Sequence, residues 1–369
     1  LPSRPKIFHG REFELEHMIK ILHQDSPRLV ILGAGGMGKS SLARAALHHP
    51  YIATKYEHRF FVVCDSATNS IELAAVMGVH IGLKPGRDLR KAVANYFSQT
   101  KYSLLILDNF ETPWEPFQSR SDVEEFVSLL TDVRDLALMI TMRGAERPGK
   151  VRWSHPFLAP LKPLSKDAAR EVFHDIADDF HDSEEMDRLL GLTDNMPLAI
   201  NLMAHLVDSE GCANVLNRWE TEKTSLLSEG PDRRSSLDQS IIISLSSPRI
   251  TSLPGAKDLL SLLSILPDGL SNVELLQSNI PIQDPLTCAA ALLATSLAYN
   301  DDKRRLKSLF PIREHMQTFY PPSPQLIRPL RNHFHLLLDI YWQYLGLDRR
   351  INQISSNAEN IYSILSRGL

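Results

Sequence analysis

Gly33-Ala34-Gly35-Gly36-Met37-Gly38-Lys39-Ser40 fits the pattern GxxxxGK[ST] at every position. The apolar run Leu29-Val30-Ile31-Leu32 precedes it, and Ser41-Leu42-Ala43-Arg44-Ala45-Ala46-Leu47 follows with helical spacing. Strand, glycine loop and helix in that order make a cradle for phosphate. The glycines let backbone N–H groups turn inward, and the helix N-terminus adds its partial positive charge. Gly33, Gly35, Gly36, Met37, Gly38, Lys39, Ser40 and Ser41 are therefore candidate nucleotide-binding residues. Lys39 is placed to bridge the outer two phosphates, and Ser40 to set its hydroxyl on Mg2+.

Three more short apolar runs follow: Phe60-Phe61-Val62-Val63, Leu104-Leu105-Ile106-Leu107 and Leu136-Ala137-Leu138-Met139-Ile140. Such runs between helical stretches suit strands buried on both faces of a parallel sheet. The alternation predicts an α/β P-loop nucleotide-binding domain over residues 1–158, a parallel sheet with helices on both faces. The third run ends in Asp108, where a Walker B acid holds magnesium through water. Many P-loop ATPases place a second acid next, to orient the attacking water. Here that residue is Asn109, which cannot take a proton, and Glu111 is the nearest substitute. Arg143 closes the fourth run in Ile140-Thr141-Met142-Arg143. Ligands sit at the strand carboxyl ends of such sheets, so Arg143 is read as a γ-phosphate sensor, against the alternative of a surface partner for Glu146. The catalytic candidates are thus Asp108, Glu111 and Arg143, and the metal candidates are Ser40 and Asp108.

Beyond Pro160 the strands stop. Helical patterns over 167–178, 183–192 and 197–207 predict a helical domain at 159–235, closed by Ser228-Glu229-Gly230-Pro231-Asp232. Helices over 256–266, 272–277 and 285–294 then lead to Leu297-Ala298-Tyr299, the turn Asn300-Asp301-Asp302 and the run Leu306-Lys307-Ser308-Leu309-Phe310. Helices followed by a hairpin outline a winged helix at 236–322. Residues 323–369 read as helical again, with Leu336, Leu337, Ile340, Trp342 and Leu345, and a last amphipathic helix over 358–365.

With 369 residues the chain has room for two to three domains at ~150 residues each. Hydrophobic residues at 43% and charged residues at 23% exclude a disordered chain or a fibre. The 40 basic and 44 acidic residues leave a net charge of −4, so no basic excess drives nucleic-acid binding. Cys64, Cys212 and Cys288 lie far apart without CxxC spacing, which argues for buried thiols in a reducing compartment. No window of ~18 apolar residues offers a membrane span, so no membrane partner is expected. The start at Leu1 carries no signal peptide and reads as a cut within something longer.

Taken together, residues 6 to 320 resemble the NB-ARC branch of the STAND NTPases, the nucleotide switches of NOD-like immune and cell-death receptors. Phe8-His9-Gly10-Arg11-Glu12 resembles the family's F-x-G-R-E motif, which lies over the adenine. The resemblance implies a base contact at Phe8. Thr141-Met142-Arg143 resembles the T-T-R sensor. Asn195-Met196-Pro197-Leu198-Ala199 resembles G-L-P-L-A, whose proline packs on the adenine; Pro197 takes that role by analogy, and Asn195 stands where the family has glycine. Proline at a helix start has a plain structural reading as well. Arg218-Trp219-Glu220 resembles a W-E helix of the fungal branch, a packing feature. The family's MHD motif, whose His touches the β-phosphate of ADP, is replaced by Pro311-Ile312-Arg313-Glu314-His315-Met316. Arg313 is favoured for the phosphate contact, because a guanidinium still bonds phosphate; His315 is read as a core or surface histidine. The wording is most like fungal members, whose C-terminal sensors are tetratricopeptide arrays, and 323–369 would begin such an array.

The resemblance implies a cytoplasmic signalling switch of innate immunity with ADP bound at rest. Exchange for ATP would release a homo-oligomer that engages an effector, with slow or no hydrolysis. A winged-helix transcription regulator is the first alternative. Against it, the candidate recognition helix over 285–295 has no Arg, Lys, Asn or Gln to read bases, so DNA is not expected as a partner. A fast ATPase motor is the second, and Asn109 argues against it.

Overall fold

In the computed structural model each apolar run becomes a strand of one parallel sheet. The structure describes residues 1–84, 86, 88–177, 183–227, 237–344 and 354–366. The strands are β1 (Arg28–Gly33), β2 (His58–Val63), β3 (Ser103–Asp108) and β4 (Leu136–Arg143), in the spatial order β1-β4-β3-β2. The first three strands are each two residues longer than their apolar runs, and β4 runs on through Thr141, Met142 and Arg143. Leu161 adds a single parallel bridge to Gly33 on the outer side of β1, its N–H donating to the Leu32 carbonyl at 2.8 Å.

The helices around this sheet are α1 (Glu12–Leu22), α2 (Lys39–Leu47), α3 (Pro50–Lys55), α4 (Ser70–His80), α5 (Leu89–Gln99), α6 (Glu111–Trp114), α7 (Arg120–Thr131) and α8 (Lys166–His174). Because strand side chains alternate faces, each apolar run feeds two cores at once. Val30, Leu32, Leu105, Leu107, Leu138 and Ile140 point to one side, where they bury Met77, Phe97, Phe126 and Leu130 of α4, α5 and α7. Ile31, Leu104, Ile106 and Met139 are buried on the other side, where α1 and α2 lie against β1. Each such side chain taken out of water contributes about 1.5–3 kcal/mol. The expected layering, helices on both faces of a parallel sheet, is what the chain builds.

α8 starts as the sequence indicates, with Ser165 capping the Ala168 N–H at 3.2 Å. It ends at His174, with Asp175 as its C-cap residue and the Asp175 carboxylate taking His9 Nε2 at 2.7 Å. Asp178, the 228–232 break, the boundary at 235 and Leu345 lie outside the described residues.

Further along are α9 (Ser183–Thr193), α10 (Pro197–Glu210), α11 (Cys212–Glu222), α12 (Leu237–Leu245), α13 (Pro248–Thr251), α14 (Pro254–Ser264), α15 (Asn272–Gln277) and α16 (Pro285–Ala294). The hairpin β5 (Tyr299–Asn300) and β6 (Leu306–Lys307) follows, then α17 (Phe310–Phe319), α18 (Pro324–Tyr344) and α19 (Ala358–Ser366). Where the run 306–310 reads as one strand, the chain splits it. The strand ends at Lys307, and Phe310 opens α17 with Pro311 in its first turn, where the missing N–H costs nothing. α12 and α13 have no counterpart in the sequence reading. α14, α15 and α16 with the hairpin sit where helices and hairpin are expected.

The chain divides into two compact units, Leu1–Asp179 with Asn195–Asp208, and Phe180–Asp194 with Ser209–Leu369. The first therefore takes α8 and most of α10 beside the sheet. Cys64, Cys212 and Cys288 are free and buried. Among the described residues no helix is long and apolar enough to cross a membrane.

Candidate nucleotide-binding site

Three strand ends converge on one edge of the first unit. β1 runs into the glycine loop, β3 ends in Asp108 and β4 ends in Arg143, with Gly33 and Arg143 opposite each other in register. The loop closes on its own lysine. Lys39 Nζ donates to the Gly33 carbonyl at 3.0 Å and the Ala34 carbonyl at 2.7 Å, and the side chain is buried. An ammonium held by neutral carbonyls is poised for a better partner, since a phosphate oxygen offers full negative charge. Gly38 caps α2 with a left-handed backbone, and the Leu42 N–H bonds its carbonyl at 2.9 Å, so the helix starts directly under the loop.

Gly36 shows why the loop needs glycine. Its φ of +79° is left-handed, and an added Cβ would stand 3.0 Å from Leu198 Cβ and 3.2 Å from Met196 Sδ. The same glycine's carbonyl accepts the Leu198 N–H at 3.1 Å. The start of α10, with Pro197 half-buried, is thereby pinned onto the phosphate loop. Asn195, at the position where the G-L-P-L-A motif it resembles has glycine, has φ +55°. Asparagine is among the few side chains that accept this conformation, so the replacement keeps the turn.

The acidic side of the site is a hydroxyl cluster. Asp108 is fully buried, and its Oδ1 accepts Ser40 Oγ at 2.7 Å and Thr141 Oγ1 at 2.5 Å. Thr141 Oγ1 in turn accepts the Asn109 N–H at 3.1 Å. A serine hydroxyl and a carboxylate at this spacing are the hard oxygen donors Mg2+ takes when phosphate and water complete its shell. Among the described residues no group of three or more His, Cys, Asp or Glu could hold a metal ion. Burial, with Asp108 close by, pushes the Cys64 thiol well up, so it is not a nucleophile here.

Asn109 has φ +58°, a turn that its side chain tolerates better than most. It delivers Glu111 to the start of α6 with its side chain buried. Glu111 Oε1 lies 3.2 Å from Arg143 Nε, and its Oε2 accepts the Arg143 N–H at 3.2 Å. Two of the three catalytic candidates, Glu111 and Arg143, therefore form an ion pair with each other.

Phe8 is half-buried and outside regular structure. Next to it the structure brings in a residue that the sequence reading passed over. Arg11 is buried, and its Nη2 donates to the Lys162 carbonyl at 2.6 Å and the Met37 carbonyl at 3.3 Å, while Nη1 meets Glu14 Oε1 at 3.1 Å. Burial lowers its pKa in spite of Glu14. Arg11 thus braces the loop from behind, and Thr141 holds Asp108. Both stood inside quoted motifs; for Thr141 a polar side chain between Ile140 and Met142 was the available signal, and for Arg11 there was none beyond the motif.

In the second unit Arg313 is half-buried, its Nε donating to the Ser264 carbonyl at 3.1 Å. Burial lowers its pKa, partly offset by Asp194, whose own carboxylate accepts the Phe310 N–H at 2.6 Å. His315 is buried, with Nδ1 2.6 Å from Asp238 Oδ1 and its ring against Phe319. It is a core histidine, paired through Nδ1, with Nε2 buried and without a hydrogen-bond partner.

Residues 2–178 match the family model described as Novel STAND NTPase 1. Over this segment the chain resembles the P-loop NTPase domains of the STAND class. No curated protein matches the chain. Among solved structures, the Walker-type ATPase PABY2304 of Pyrococcus abyssi aligns over 86% of this chain and 99% of its own, at 14% identity and a TM-score of 0.62. That likeness shows the P-loop ATPase fold. The Aeropyrum pernix Orc1 protein, solved in complex with DNA, covers 86% of this chain and 95% of its own at 12% identity and a TM-score of 0.48. Cdc6p of Pyrobaculum aerophilum covers 90% and 96% at 14% identity and 0.46.

Proposed function

We propose that the chain is an adenine-nucleotide switch, binding ADP or ATP with Mg2+ and hydrolysing slowly at most. One observation carries the reading. The phosphate loop, Ser40 and Asp108 are assembled for a Mg2+-nucleotide, while the position for a water-orienting acid holds Asn109 in a left-handed turn and the next carboxylate, Glu111, is engaged by Arg143. Lys39 contacts the outer phosphates, Ser40 and Asp108 hold Mg2+, Arg143 reads the γ-phosphate, and Phe8 and Pro197 flank the base.

The finer reading draws on the resemblance to NB-ARC switches of NOD-like receptors. ADP is held at rest, and exchange for ATP promotes homo-oligomerisation, in a cytoplasmic setting that suits three free thiols. Within it, residues 159–235 act as the helical subdomain, 236–322 as a winged helix whose Arg313 senses nucleotide state, and 323–369 as the lead-in to a tetratricopeptide sensor. α16 carries no Arg, Lys, Asn or Gln, which supports a switch that does not read DNA.

The test is to denature purified protein, chromatograph the released nucleotide, and then measure turnover and scattering mass with ADP and with ATP. Bound ADP, turnover well below ~1 s⁻¹ and a mass increase with ATP support the switch. Turnover within the ordinary enzyme range of ~1–10³ s⁻¹ supports the motor instead. Protein that is empty and binds neither nucleotide overturns the reading. Arg313→Ala is expected to speed ADP dissociation; an unchanged rate removes Arg313 from the switch.

A further inference from the structure

We infer that Glu111 is the exchange partner of Arg143: the guanidinium leaves this carboxylate only for the terminal phosphate of a nucleoside triphosphate, so Glu111 sets how strongly the site distinguishes ATP from ADP. The inference rests on the nucleotide-switch reading above.

The geometry singles out the pair. Glu111 opens α6 immediately past the turn that ends β3, and Arg143 ends β4 beside it. One carboxylate holds the arginine twice, through Nε at 3.2 Å and through the backbone N–H at 3.2 Å. Its side chain is 5% exposed, that of Arg143 11%. The backbone bond fixes the carboxylate at the strand end whatever the guanidinium does, so the side chain can move while its partner stays. Arg143 also stands in register with Gly33, where the phosphate loop begins.

Charges buried this far are costly when left without a partner. A γ-phosphate oxygen offers the guanidinium a charge-assisted bond in place of Glu111. ADP offers none at that point, so with ADP the pair has no reason to part. The triphosphate affinity then includes the work of separating Glu111 from Arg143, and the diphosphate affinity does not. A ligand shifts such an equilibrium only by its differential contacts with the two arrangements. In this arrangement Glu111 acts through Arg143, as a positioning residue.

The experiment measures Kd for ADP and for the non-hydrolysable AMPPCP, both with Mg2+, on the full chain by calorimetry. Wild type, Glu111→Gln, Arg143→Gln and the double variant are compared. Glu111→Gln is expected to tighten AMPPCP about tenfold relative to ADP, the size of one charge-assisted contact. In the Arg143→Gln background that gain should vanish, because there is no guanidinium left to release. A gain that persists there means simple repulsion between Glu111 and phosphate, and overturns the exchange. An unchanged affinity ratio with lost turnover makes Glu111 a base, and overturns it too. Wild-type protein that binds neither nucleotide fails the switch reading itself, a separate result. Should Glu111→Gln not fold, Glu111→Asp keeps the charge on a shorter arm and is expected to give a smaller shift in the same direction; no shift overturns the inference.

Discussion

At the scale of single residues, the site is built from side chains that satisfy each other until a nucleotide offers something better. Lys39 is the clearest case. Its ammonium spends its hydrogen bonds on the Gly33 and Ala34 carbonyls, and nothing else in the loop supplies a positive point charge for the outer phosphates. Lys39→Ala is expected to weaken nucleotide affinity at least tenfold and up to about a hundredfold, for a lost charge-assisted contact of roughly 1.5–3 kcal/mol. Titration with a fluorescent ADP analogue checks it, and equal affinities would contradict the placement. Asn109 and Asn195 carry a different lesson. Each stands where a motif has another residue, and each sits at positive φ, so backbone conformation accounts for asparagine at both places.

At the scale of elements, the segment 8–12 is tied to α8 in two ways, by packing and by charge. Gly10 has φ +71°, and a Cβ there would lie 2.4 Å from Ala168 Cβ. Gly10→Ala should therefore cost about 2 kcal/mol or more, the left-handed penalty of roughly 1–2 kcal/mol plus displacement of α8. Urea denaturation would measure this as a lower midpoint with an unchanged slope. The charge tie is His9, whose Nε2 meets Asp175 at 2.7 Å and whose Nδ1 lies 3.3 Å from Glu171. The hydrogen bond to Asp175 chiefly raises the His9 pKa above 6.5, helped by the Asp175, Glu171 and Glu12 charges, against burial. A raised histidine stabilises the fold fully below about pH 6.5, and that contribution fades as pH climbs through the raised value. Melting temperature in wild type should accordingly fall across that window relative to His9→Gln. Parallel pH profiles for the two proteins would show that the pair contributes nothing.

At the scale of the whole molecule, the loop, Ser40, Asp108, Arg143 and Pro197 all belong to the first compact unit, whereas Arg313 and His315 belong to the second. A ligand of that unit stabilises it by mass action. At a hundred times Kd the gain is about 2.7 kcal/mol, enough to raise the melting temperature by several degrees. Scanning calorimetry with Mg2+-ADP is expected to move the transition that contains the first unit, and Lys39→Ala should abolish the movement. A transition that ignores the nucleotide would mean that the loop binds none.

The phosphate loop, the acid after the third run and the parallel sheet were legible in the sequence because they are local. A glycine pattern, a strand of four apolar residues and a helix start depend on neighbours within a few positions, and their order along the chain sets the topology. The helices of the second unit were partly legible for the same reason; α12 and α13 were not. What the linear order leaves open are partnerships across tens of residues. Arg11 reaching Met37 and Lys162, Leu198 bonding Gly36, and Glu111 engaging Arg143 depend on where loops from different strands arrive. Glu111 reads in sequence as a spare acid two places past a Walker aspartate. Folding turns it to an arginine 32 residues away, because β3 and β4 end side by side and a buried charge needs its counter-charge there.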